Sequence, residues 1–115
     1  MAEKVLETSV RQENTTAVIE LKGEIDKFSE SALNRAYAEA TAAKPSNVLL
    51  NFKSVEYINS TGIALIVSLM AQARKSGVKF IAAGLSDHYM EIFKITRLSD
   101  FMTIYPDEAS ALKGK

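Results

Sequence analysis

Two adjacent hydroxyl residues, Ser60 and Thr61, lie between Asn59 and Gly62, directly before a segment, Gly62 to Ala71, in which only Ser68 is polar. A serine in that position has two plausible uses. It can receive a phosphoryl group from a partner enzyme, or it can accept a hydrogen bond from the open N–H groups of a starting helix. Nucleophilic catalysis fits poorly, because no base partner accompanies Ser60. The single histidine, His88, sits beside Asp87 early in a helical pattern and reads as an exposed helix residue. The chain has no cysteine, which excludes disulfides, thiolate metal sites and cysteine nucleophiles. It also has no glycine-rich phosphate loop. The expectation is a protein that is not an enzyme and needs no metal or cofactor.

If the strand-like "VEYIN" ends where the apolar run begins, Ser60 falls in the first turn of a helix. Free backbone donors and the positive end of the helix dipole would surround an added phosphate. That phosphate would bring roughly −1.5 to −2 charges to the rim of an apolar surface. Gly62 would keep the turn small enough for another protein to approach. Ile63, Leu65, Ile66, Val67, Leu69 and Met70 cover more than the stripe of about 100° that a helix lying on a sheet requires. The excess is either sandwiched against a neighbouring helix or exposed to a partner. From these residues alone, an ordinary helix cap and a phosphate-gated docking surface both remain open.

The elements that would position this cluster follow from periodicity. "KVLETSVRQ" and "TTAVIELKG" alternate as half-buried strands, with a hairpin turn in "QENTT" and Gly23 ending the second strand. In the second strand, Ala17, Ile19 and Leu21 share one face. Leu33, Ala36, Tyr37 and Ala40 recur at helical spacing, predicting a helix over 29–43 that Ser29 would cap and Lys44 and Pro45 would stop. "NVLLNF" reads as a buried strand, 60–76 as a second helix ended by Gly77, and "VKFIAAG" as another buried strand. "SDHYMEIFKIT" is a shorter helix with Ser86 as N-cap and Tyr89, Ile92 and Phe93 on its inner face. "FMTIY" is a final strand, and Pro106 opens a last helix in "DEASALK". The order is β-β-α-β-α-β-α-β-α. That predicts a single α/β domain over 1–115, built on a mixed, mostly parallel sheet of about five strands.

Composition sets the remaining bounds. Hydrophobic residues make up 47% of 115 positions, enough to bury a core in one domain. Lys plus Arg and Asp plus Glu each number 14, so the balanced charge gives no basic face for nucleic acid or anionic lipid. The N-terminal "MAEKVLETSV" has no apolar signal core, and the longest apolar stretch is well short of the about 18 residues a membrane span needs. A cytoplasmic protein with no direct membrane insertion is expected. There, the sequons at 14–16 and 59–61 are chance matches.

"KGEID" at 22–26, "VLLNFKSVEYINSTGIALIVSLMAQARKSG" at 48–77 and the following "VKFIAAG" resemble the STAS domain, a family named for sulfate transporters and anti-sigma-factor antagonists. The stand-alone bacterial antagonists resemble it best. The likeness runs from about residue 5 to residue 111. It implies the mixed sheet derived above, with helices packed mainly on one face. It also implies a function: an anti-sigma-factor antagonist that binds an anti-sigma serine kinase while unphosphorylated, is released by phosphorylation and is restored by a PP2C-type phosphatase. Carried over residue by residue, Ser60 is the phosphoacceptor, Asp26 is the acidic residue beside it, and Thr61 and Gly62 complete the motif. Asn59 departs from the family pattern, which usually has Asp there. A neutral amide can still hydrogen-bond locally but carries no charge. Asp26, Asn59, Ser60, Thr61, Gly62 and Ile63 form the expected partner-binding set. The alternative implied by the same family is a constitutive scaffold or accessory subunit of a sensory assembly or lipid transporter, in which Ser60 only caps a helix. The apolar helix would also serve a homodimer.

Overall fold

The computed structural model describes residues 5–114. Lys4, which opens the first strand-like segment, and the ends of the expected 1–115 domain lie outside the described residues. Five strands form one sheet in the order β1-β2-β3-β4-β5. β1 (Glu7–Glu13) pairs antiparallel with β2 (Thr16–Ile25), while β3 (Asn47–Ile58), β4 (Lys79–Ala83) and β5 (Thr103–Tyr105) continue in parallel. Four helices alternate with the strands: α1 (Glu30–Thr41), α2 (Ser60–Lys75), α3 (Asp87–Ile95) and α4 (Glu108–Lys113). Short 3-10 turns at Lys27–Ser29 and Leu98–Asp100 precede α1 and β5. Asn14 turns the β1–β2 hairpin with a φ of 58°, a left-handed conformation that asparagine tolerates.

The two faces of the sheet are covered unequally. Ala17, Ile19 and Leu21 of β2 and Val48, Leu50 and Phe52 of β3 join the inner faces of α1, α2 and α3 in the main core. Phe52 meets Phe93 of α3 edge to face, with ring centroids 5.8 Å apart. The opposite side chains, Val18, Leu49 and Ile81, pack with Ala83, Tyr105 and Ala111 in a smaller cluster beneath α4. Burial on both faces explains why the central strands read as continuous apolar runs. Among the described residues, no helix is long and apolar enough to cross a membrane.

The structure corrects several expected boundaries. Gly23 does not end β2; the strand passes through it at a φ of 110° and continues to Ile25. β3 does not stop at Phe52 but runs to Ile58. Its pairing with β2 steps from Glu20↔Asn51 to Lys22↔Ser54 and from Gly23↔Val55 to Glu24↔Tyr57, so β3 takes up one extra residue at each step. Pro106 lies outside α4, where Asp107 is the N-cap, its carboxylate accepting the Ser110 N–H at 2.8 Å. These extensions carry the ends of β2 and β3 to one rim of the sheet.

Tyr37 on α1 is buried, and its hydroxyl has no hydrogen-bond partner among the described residues. Burial pushes its phenol above the ordinary tyrosine range. Removing an unpaired buried hydroxyl relieves a desolvation cost, so Tyr37→Phe is expected to leave the melting temperature unchanged or raise it in a thermal unfolding experiment.

Candidate partner-docking site at the start of α2

The site is built where β2 and β3 end side by side, with Ile25 opposite Ile58. The next residue, Asn59, donates its N–H to the Ile25 carbonyl at 3.2 Å and turns the chain into α2. Its side-chain oxygen accepts the Gly62 N–H at 2.8 Å, and its backbone carbonyl accepts the Ile63 N–H at 2.9 Å. Asn59 is thus the N-cap. Ser60 itself does not cap the helix: it is the first helical residue, exposed, and its hydroxyl makes no hydrogen bond to any described residue. The N–H groups of Ser60 and Thr61 are likewise without protein acceptors among the described residues.

Gly62 is buried for a definite reason. A Cβ there would stand 2.2 Å from the Ile25 carbonyl oxygen and 2.8 Å from its carbon. The first turn of α2 therefore rests on the main chain at the end of β2, a contact that only glycine permits.

Asp26 follows Ile25 and so lies at the same rim as Ser60, but no hydrogen bond joins the two. Its carboxylate instead accepts the Phe28 N–H at 2.9 Å, while its own N–H donates to Ser29 Oγ at 2.9 Å. This reciprocal cap orders the 3-10 turn. The expected role of Ser29 is corrected accordingly: it stands at the N-cap position of α1, but its side chain makes no capping hydrogen bond to that helix. Its hydroxyl is buried, accepting from Asp26 and donating to the Glu24 carbonyl at 3.3 Å.

Along α2, Ile66, Leu69, Met70 and Ala73 are buried, and Ile63 and Leu65 are half-buried against the core. The exposed flank is narrower than the apolar run suggested: Ser60, Thr61, Ala64, Val67, Ser68 and Ala71. Val67 is 39% exposed. Two exposed aromatics at the same rim were not singled out from the sequence, Phe28 at 68% and Tyr57 at 49%. The Asp-x-x-Ser spacing of 26–29 was the signal that marked the turn carrying Phe28. His88 is exposed. No group of three or more His, Cys, Asp or Glu residues is placed to hold a metal among the described residues.

The charged side chains of α2 lie at its far end. The first turn of α2 has no acidic residue, and its last turn has Arg74 and Lys75. The positive end of the dipole is therefore not neutralised by the helix's own side chains.

A domain that sets a capped helix start, an exposed serine and an apolar flank on the rim of a mixed five-stranded sheet matches a known family. The family model described as the STAS domain matches residues 7–111, and the chain belongs to that family. It is 27% identical over 99 residues to the anti-sigma-B factor antagonist of Bacillus subtilis (strain 168), covering 86% of this chain and 90% of that protein. Among solved structures, it is similar to an anti-sigma factor antagonist from Mycobacterium paratuberculosis. The TM-score there is 0.79 at 23% identity, over 98% of this chain and 96% of the other. It also resembles the Bacillus cell fate determinant SpoIIAA in its phosphorylated form, with a TM-score of 0.70 at 18% identity over 95% of this chain and 100% of the other.

The backbone contact at Gly62 yields a sharp expectation. Gly62→Ala forces α2 away from Ile25 and costs about 3 kcal/mol in denaturant unfolding. Asn59→Ala costs about 1 kcal/mol through loss of the cap, whereas Asn59→Asp keeps the cap and is neutral or stabilising. Equal stability of Gly62→Ala and the parent chain would refute the packing account.

Proposed function

We propose that this chain is an anti-sigma-factor antagonist that binds an anti-sigma serine kinase when Ser60 carries no phosphate and is released when that kinase phosphorylates Ser60. A PP2C-type phosphatase then restores the binding form. The observation that carries this reading is the exposed hydroxyl of Ser60 on the first residue of α2, unbonded among the described residues and beside two N–H groups that find no acceptor among them. Family membership and the names of the relatives support it. In this reading the chain is a substrate and binding partner rather than a catalyst, and it acts in the cytoplasm.

The docking face consists of Ser60, Thr61 and Ile63, the exposed flank of α2 and the neighbouring turn that Asp26 caps. Gly62 and Asn59 hold that face in place without offering much surface of their own. A phosphate on Ser60 adds about −1.5 to −2 charge at the edge of this face. Docking over it would strip water from an unpaired dianion, at a cost of several kcal/mol, against roughly 8 kcal/mol for a whole micromolar complex. Local charge is enough to break the complex, and no refolding is required. Asn59 retains the cap that an aspartate would form and avoids placing a second negative charge beside the phosphate. The phosphorylated form is accordingly expected to be long-lived.

Incubation with the cognate kinase and ATP, read by intact mass and by calorimetry of the complex, tests this. Ser60→Ala should bind the kinase with unchanged affinity and gain no phosphate. Ser60→Glu should weaken binding by about tenfold or more. Phosphate incorporation that persists in Ser60→Ala would overturn the assignment.

A further inference from the structure

We propose that Tyr89 of α3 is a positioning residue for the Ser60 turn; this rests on reading Ser60 as the phosphoacceptor. β4 accompanies β3 only from Asn47 to Asn51, and β3 then continues to Ile58 without it. Successive strand N–H groups point to opposite edges. The Asn59 N–H meets β2 at the Ile25 carbonyl, so the Ile58 N–H faces the edge that β4 has left open. Buried there without a partner, it would carry a desolvation cost. The Tyr89 hydroxyl fills the gap, accepting the Ile58 N–H at 2.9 Å in a buried hydrogen bond.

Tyr89 is itself well located. Ser86 caps α3, its hydroxyl accepting the Tyr89 N–H at 3.3 Å, and the Tyr89 ring belongs to the main core. A chain of contacts thus runs from the start of α3 to Ile58, to the Asn59 cap and to Ser60. The two edges of the chain at 58–59 are held by different elements, β2 through Ile25 and α3 through Tyr89. Among the described residues no hydrogen bond joins Tyr89 to Ser60 or to the exposed flank of α2. The effect of Tyr89 is to fix where the acceptor hydroxyl stands when the kinase is docked, and a small displacement of a reacting group is costly in rate.

Tyr89→Phe keeps the ring and deletes only the acceptor. In the free protein, amide hydrogen exchange at the bonded amides of the turn, Ile58, Asn59, Gly62 and Ile63, should rise about tenfold, while amides of α4 on the other face of the sheet stay unchanged. With a serine kinase that phosphorylates the parent chain at Ser60, kcat should fall several-fold with KM within about twofold, because the docking flank is intact. Tyr37→Phe, the same deletion at a buried tyrosine distant from the turn, should alter none of these values. Unchanged exchange at Ile58, Asn59, Gly62 and Ile63 in Tyr89→Phe would overturn the positioning role. Faster exchange with an unchanged kcat would overturn its link to phosphoryl transfer. Failure of any such kinase to modify the parent chain would instead remove the phosphoacceptor reading and, with it, the link to transfer; the exchange experiment would then decide the positioning of the turn alone.

Discussion

The first turn of α2 leans directly on the main chain at the end of β2, and the arrangement of the site depends on that contact. Gly62 lies over the Ile25 carbonyl, and the same oxygen accepts the Asn59 N–H. Two backbones meet with no side chain between them, so the contact has little freedom to adjust. It sets the height of α2 above the sheet and turns Ser60 outward. The long reach of β3 belongs to the same arrangement. Two extra residues in its pairing with β2 bring Ile58 level with Ile25, and only with those ends aligned can α2 start where it does.

The charge at this rim is divided between two local caps. The carboxylate of Asp26 is turned to the Phe28 N–H, ordering its own turn instead of reaching Ser60. Asn59 supplies the cap of α2 as a neutral amide. The start of α2 therefore has no acidic side chain of its own and, among the described residues, two N–H groups without acceptors.

The opposite face of the sheet serves a separate purpose. Arg11 on β1 bonds Glu13 at 3.1 Å and Glu20 at 2.6 Å and also reaches Glu108 of α4, which in turn accepts from Asn51 Nδ2 at 2.9 Å. Ion pairs this exposed contribute little individually. Their geometry nevertheless ties α4 to the sheet above the small cluster of Val18, Leu49 and Ile81. The Ser60 rim and the α4 face share the sheet, and the main core and this small cluster have no buried residue in common.

The sequence by itself determined the type and order of the elements, because strand and helix periods are local properties of side-chain spacing. It also marked Asn59 to Gly62 as unusual, since a polar cluster before an apolar run stands out in one dimension, and it placed Tyr89 and Phe93 on the inner face of α3. What it left open were matters of hydrogen-bond allocation between distant segments. Asn59 rather than Ser60 caps α2, and Ser29 gives its hydroxyl to the Asp26 turn rather than to α1. Of the six large apolar residues on α2, only Val67 proved to be exposed. The run of β3 past Phe52, the closeness of Gly62 to Ile25 and the bond from Ile58 to Tyr89 all depend on register and on where β4 ends. Those quantities are decided when strands pair and helices settle onto the sheet, and only the tertiary structure contains them.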